Sequence, residues 1–213
     1  MTRKTISALP SQVSLKSIML PSINGFEKIY GNIESFVKGM GLCEVDLKYD
    51  YLMEPVFKGG VMEICIDTRE QDPLPVRGKI QKLSVGDYVP NKDFYADVYI
   101  DRKSLPDLVG TLTSGYDRVV REIERAKEME FYLVFLVEDL FSSALNYSGK
   151  FTKRVNGAHI MHQIRELMDK YDNIQFVFSG NRTRSVEIME KIFRLGDQVR
   201  RLDLEWLKDR RVL

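Results

Sequence analysis

The chain has 213 residues, 44% hydrophobic and 30% charged, enough for one full core with a small appendage and outside the disordered and membrane classes. Its two cysteines, Cys43 and Cys65, exclude a disulfide framework and a cysteine-rich zinc site, and fit a reducing compartment. Net charge is +1, yet residues 1–149 hold 18 basic against 22 acidic side chains and residues 150–213 hold 14 against 9.

The first 26 residues carry three bases and no acid, but Pro10 and Pro21 interrupt any amphipathic transit helix, so a flexible or docking arm is the expectation. From Gly25 to Met40, Phe26, Ile29, Tyr30, Ile33, Phe36 and Val37 recur at helical spacing and predict an amphipathic helix. Gly59-Gly60 marks a turn. Residues 1–60 therefore read as a partly helical N-terminal extension of unassigned role.

Val61–Asp67 reads as a buried strand ending on its acid, and Gln71–Gly78, with Pro73 and Pro75, as a loop. Lys79–Val89 and Tyr95–Lys103 alternate as strands, and Pro90-Asn91-Lys92-Asp93 joins them into a hairpin. Asp101 and Lys103, two apart on a strand, share a face, and the hairpin brings Asp87 to them. Ser104-Leu-Pro-Asp107 is a helix-capping pattern with proline in the first turn, and Ser114-Gly-Tyr-Asp117 opens a second, longer helix to about Glu128.

Phe131–Val137 is apolar without alternation, as a central strand covered on both faces is. It is also the longest dense apolar stretch, far too short to span a bilayer. Residues 139–155 read as loop, Asn156–Tyr171 as helix, Ile174–Ser179 as strand and Arg182–Leu195 as helix. Residues 61–200 thus form an α/β domain, a mixed central sheet flanked by helices. Residues 201–213 read as a tail, with Trp206 as a packing anchor.

The chemistry concentrates between Asp67 and Lys103. Clustered carboxylates repel one another and are costly to gather unless a cation neutralises them. Asp67, Asp87 and Asp101 at strand ends, with Lys103 beside them, suit a magnesium-dependent phosphodiesterase, the acids holding metal and the ammonium serving the attacking water. Arg69 reads either as a phosphate grip or as an ion pair with Glu70 or Asp107. Asp107 reads as a helix cap, a site residue, or both. Arg118 and Arg121 lie on a charge-rich helix that either meets DNA or faces solvent. Arg182 and Arg184, at the mouth of a helix after Gly180-Asn181, join Lys150, Lys153 and Arg154 as a basic surface for phosphate. His159 and His162 are three apart on a helix, but no further soft ligand accompanies them, which favours surface or packing roles.

The set Asp67-x-Arg69-Glu70, Gly86-Asp87-Tyr88 and Asp101-Arg102-Lys103-Ser104-x-x-Asp107-Leu108 resembles the XPF-type nuclease domain. That is a branch of the PD-(D/E)XK superfamily of restriction-endonuclease-like folds, and the likeness is closest to its short phage and bacterial members. It continues through Gly110-Thr-Leu, Arg118–Arg125, Phe131–Glu138 and Ile174–Asn181, covering about residues 62 to 195. The resemblance implies a restriction-endonuclease-like fold and a Mg²⁺-dependent endodeoxyribonuclease, with Mn²⁺ able to substitute, acting on branched or structured DNA in repair, recombination or phage DNA metabolism. It implies catalytic Asp67, Asp87, Asp101 and Lys103, the three aspartates being metal ligands, with Arg69, Glu70 and Asp107 in support. DNA is the implied partner, with a homodimer or heterodimer possible, no membrane, and a cytoplasmic location, or a nuclear one in a eukaryote.

Rival readings are a sequence-specific restriction enzyme, a catalytically silent DNA-binding or partner-docking subunit, and a phage recombination or packaging accessory. The silent subunit typically lacks an acid or the lysine, all of which this chain keeps. Two departures stand out. Asp101 occupies a place where glutamate is usual, and the 13 residues between Asp87 and Asp101 imply an extended hairpin. No helix-hairpin-helix pair follows residue 195 and no helicase motif precedes residue 60, so DNA holding is expected to rest on phosphate contacts.

Overall fold

A computed structural model describes residues 62–91, 97–149 and 155–213, all within the compact unit Lys48–Leu213. The expected helix at Gly25–Met40, the Gly59-Gly60 turn, the Lys92-Asp93 part of the hairpin turn, and Lys150, Lys153 and Arg154 lie outside the described residues.

Six strands form one mixed sheet: β1 (Ile64–Ile66), β2 (Gly78–Ile80), β3 (Tyr88–Pro90), β4 (Val98–Lys103), β5 (Tyr132–Val137) and β6 (Ile174–Phe178), in the order β2-β1-β3-β4-β5-β6. β1 pairs parallel with β2 and antiparallel with β3; β3 is antiparallel to β4, and β4, β5 and β6 run parallel. The expected mixed α/β sheet with flanking helices is therefore present. β5 is buried along its whole length, as its unalternating apolar sequence requires of a strand covered on both faces.

The alternation of β4 and β5 sorts two cores. Val98, Ile100, Tyr132, Val134 and Leu136 pack on one face against helix α5 (Arg182–Leu195), through Ile188, Met189, Ile192 and Phe193. Leu133, Phe135 and Val137 pack on the other against α1 (Leu105–Thr111), α2 (Tyr116–Glu128) and α4 (Gly157–Lys170), through Leu108, Ile123 and Ile164. Asp101 and Lys103, in register with Phe135 and Val137, belong to the second face, and Arg102 to the first.

Several local expectations change. Lys79–Val89 is not one strand but two short ones joined by a loop. Gly86 adopts φ +62°, which breaks the extended run, and the Leu83 N–H bonds the Asp67 carboxylate at 2.6 Å rather than a neighbouring strand. Ser104 caps α1 as expected, accepting the Asp107 N–H at 3.2 Å. Ser114 does not cap α2: Gly115 holds the N-cap, with no side-chain cap bond, and the Ser114 hydroxyl turns back to the Gly110 carbonyl at 3.5 Å. A short helix α3 (Phe141–Leu145) lies within the stretch expected to be loop.

Residues 201–213 do not hang off the domain as a tail. A 3₁₀ turn (Gly196–Arg201) leads to α6 (Leu204–Asp209), and Leu204, Leu207 and Leu213 join the first core, with Trp206 packed against it. Glu205 accepts the Phe178 N–H at 2.8 Å, standing in for a further strand beside β6. Gln175 donates to the Leu202 carbonyl at 2.8 Å and accepts the Leu204 N–H at 3.0 Å. The segment is thus tied down by side chains distant from it in sequence. Among the described residues no helix is long and apolar enough to cross a membrane.

Candidate active site

Because β1, β4, β5 and β6 point the same way and β3 runs against them, Asp67, Lys103, Glu138, Ser179 and the start of β3 meet at one edge of the sheet. Carboxyl ends of strands are where α/β sheets commonly seat ligands. A cleft of about 670 Å³ opens there, lined among others by Arg69, Glu70, Asp87, Arg102, Lys103, Asp107, Thr111, Ser114 and Arg118.

At its floor, Asp87 is fixed from three sides. Its N–H donates to the Ile100 carbonyl at 2.7 Å and its carbonyl accepts the Asp67 N–H at 2.8 Å. Its carboxylate accepts the Arg102 N–H at 2.9 Å, so β4 itself orients it. Asp101, 2% exposed, lies beneath and is ion-paired to Lys103. Burial, and then the Asp101 charge, push the Asp87 carboxyl up to about 8. Burial works against the Lys103 ammonium, but the Asp101, Asp87 and Glu122 carboxylates outweigh it and raise its pKa, so Lys103 is firmly charged.

Asp67, just after β1, has both of its carboxylate oxygens engaged by neighbouring loops. One carboxylate oxygen accepts the Arg69 N–H at 2.8 Å and its Nε at 2.6 Å, and the other accepts the Leu83 N–H. Burial raises its pKa, but these hydrogen bonds outweigh burial and hold it below the usual carboxylate range. Through these contacts it fixes the two loops that flank the cleft. Arg69, 62% exposed at its side chain, pairs with Asp67 and not with Glu70 or Asp107.

Glu70 takes a two-pronged contact from Arg102, at 2.9 and 3.2 Å, while Arg102 also reaches Glu138 at 3.0 Å. Asp107 accepts from the Ser104 hydroxyl at 2.6 Å and also lines the cleft, so capping and site placement coincide. Arg118 lines the cleft; Arg121, on the same helix, is exposed but outside the lining. Among the described residues no three His, Cys, Asp or Glu side chains converge as a ready-made cation cage, and this includes His159 and His162 on α4.

Arg182 also departs from expectation. Its guanidinium donates to the Pro73 carbonyl at 2.7 Å and the Asp72 carbonyl at 2.8 Å, and pairs with Asp72 at 3.0 Å and Glu138 at 3.4 Å. It ties the 70–77 loop to α5. Arg184 is exposed, and Asn181 takes its N–H at 2.9 Å, leaving fewer helix N–H groups for an anion. Arg182→Ala is therefore expected to lower the melting temperature, whereas Arg184→Ala should leave it unchanged and weaken binding to all DNA sequences alike, flattening the salt slope by about one. Melting curves and salt-titrated DNA binding check the pair.

Sequence reasoning passes over Arg102, Glu138 and Glu122. Arg102 sits inside the quoted motif, and its alternate face on β4 is the available signal. Glu122 becomes visible only when α2 packs: its Oε1 accepts the Gly86 N–H at 3.1 Å, and burial, then Asp101, raise its pKa.

A mixed α/β sheet brings Asp87, just before the start of β3, to Asp101 and Lys103 at the carboxyl end of β4, the residues that the motifs single out. A family model described as the ERCC4 domain matches residues 66–192, more than half of the chain, and the chain belongs to that family. Among solved structures it is similar to XPF from Aeropyrum pernix in complex with DNA, at 19% identity and a TM-score of 0.48, covering 63% of this chain and 64% of that one. It is also similar to XPF from Aeropyrum pernix, at 17% identity and a TM-score of 0.48, covering 70% of this chain and 68% of that one. The chain thus spans just under two thirds of the length of the first of these. No curated protein matches it.

Proposed function

We propose that the chain is a DNA endonuclease that hydrolyses phosphodiester bonds in the cleft above Asp87, Asp101 and Lys103. Its substrate is branched or structured DNA, met in repair, recombination or phage DNA metabolism. The observation that carries this reading is the under-neutralised charge at the cleft floor: Asp87 and Asp101, with Glu122 beside them, are desolvated around one ammonium, and Asp87 is pushed up to about 8.

A site left short of positive charge fits a hard divalent cation, which binds through one or two carboxylates and completes its shell with water and substrate phosphate. Asp87 and Asp101 are the residues that would hold Mg²⁺ or Mn²⁺. Bound there, the ion would supply Lewis-acid polarisation of the phosphoryl group and a more acidic attacking water. Lys103, already charged, serves by stabilising negative charge that builds on the phosphate rather than by accepting a proton. Arg69 and Arg118 on the rim suit the flanking phosphates, which they contact without reading sequence. Asp67 keeps its place in this proposal as the residue that fixes the Arg69 loop, and Glu70 as the partner that holds Arg102.

The test is incubation of the purified protein with labelled linear, flapped, forked and four-way DNAs. Cleavage of one or more structured substrates is expected with Mg²⁺ and with Mn²⁺, and none with excess EDTA. Undiminished cutting in EDTA removes the mechanism; no cutting of any DNA with either metal leaves a silent DNA-binding subunit.

A further inference from the structure

Asp87 presents its carboxylate from a backbone that departs from regular extended structure. Gly86, just before it, is buried and left-handed at φ +62°, and a Cβ there would lie 2.9 Å from the Ile100 carbonyl oxygen. No side chain other than glycine's fits, and glycine leaves the turn with little stiffness of its own. The strand contacts of Asp87 begin one residue later, with its own N–H on Ile100. The Gly86 N–H is instead taken by a side chain from another element, Glu122 on α2, at 3.1 Å. Glu122 lies in the middle of that helix, whose buried Val119, Ile123 and Ala126 anchor it against the sheet. The carboxylate is thus carried by a rigid element and aimed at the backbone donor beside the Gly86–Asp87 peptide.

We propose that Glu122 is a positioning residue, which fixes the Gly86 side of the turn through the Gly86 N–H and so, together with the contacts of Asp87 to β4, holds the Asp87 carboxylate toward a divalent cation. This rests on the reading of Asp87 and Asp101 as the cation-holding pair. It goes beyond the residues that motif and cleft assign, because Glu122 touches backbone and not the reacting atoms. Groups that orient a ligand in this way commonly change metal affinity or activity when removed, by roughly 10–100-fold. The acceptor, not the negative charge, is what the contact requires, and a glutamine amide oxygen also accepts an N–H.

The experiment compares Glu122→Ala and Glu122→Gln with the parent chain. The readouts are the Mn²⁺ midpoint of the thermal-stability shift without DNA, DNA affinity in EDTA, and cleavage rate at saturating metal. Glu122→Ala should move the Mn²⁺ midpoint up by roughly 10-fold or more and leave DNA affinity in EDTA unchanged. Glu122→Gln should restore the midpoint to within about 3-fold of the parent, a modest loss for one retained hydrogen bond. A glutamine variant as poor as alanine overturns the proposal in favour of a charge effect, and an alanine variant with the parent's midpoint overturns it outright. If Mn²⁺ shifts the parent and every Glu122 variant at one and the same midpoint but does not shift Asp87→Asn, only the positioning role fails. If Mn²⁺ shifts Asp87→Asn as much as the parent, the cation-pair reading fails instead.

Discussion

Asp87→Asn is expected to reduce the cleavage rate by at least about 10²-fold while making the metal-free protein more stable. The two effects share one cause. Asp87 titrates near 8 in the folded chain, against 3.8 for the free side chain, because burial and the Asp101 charge disfavour its ionised form. Between those values the native state holds a proton that the unfolded chain has released, so stability falls as pH rises from about 4 to about 8. Asparagine removes that proton and flattens the fall. The gain at pH 8 should be about 1–3 kcal/mol after allowance for relaxation around the buried charge. Denaturant melts at pH 5 and pH 8 in EDTA check the slope, and single-turnover cleavage checks the rate. DNA affinity in EDTA should hold below about pH 8, where Asp87 already carries its proton, and improve only above it, where asparagine removes a negative charge near phosphate. Equal loss of affinity and rate would point to misfolding or to a site elsewhere.

Lys103→Ala should be hit twice. Its ammonium is the ion-pair partner of the buried Asp101, and removing one member of a buried pair costs about 3–5 kcal/mol of stability. In the metal-loaded protein the same loss should lower the rate by roughly 10²–10³-fold, the effect of deleting one donor aimed at developing charge. Mn²⁺ affinity should hold or rise, because Asp101 loses the cation it was paired with. Lys103→Arg should recover part of the melting temperature but little of the rate, since a planar, five-donor guanidinium does not replace a compact ammonium. An arginine variant cutting at the parent's rate would show that any fixed positive charge there is enough.

Elements whose physics is local are legible in the order of residues. The buried run Tyr132–Val137 is a central strand because every residue in it is apolar. Ser104 caps α1 because a short polar side chain before a helical run satisfies a free N–H. The two-residue step from Asp101 to Lys103 places both on one face by the period of a strand, and the order of the motifs points to the family.

Packing decides the rest, wherever a side chain is claimed by a partner distant in sequence. The charge of Arg182 suits a DNA contact, but Asp72, Pro73 and Glu138 hold it. The strand-end position of Asp67 is legible in the sequence, but its partners Arg69 and the Leu83 N–H are supplied by the fold. The Lys79–Val89 run alternates well enough for one strand, yet the Gly86 turn and the Asp67 contact divide it. Glu205 has the sequence context of one more surface acid, and instead closes the edge of β6 through the Phe178 N–H. In each case the residue type sets what the side chain can bond. Which buried donor or acceptor it meets depends on how helices and loops pack around the sheet, because a desolvated polar group takes whatever partner the fold brings within reach.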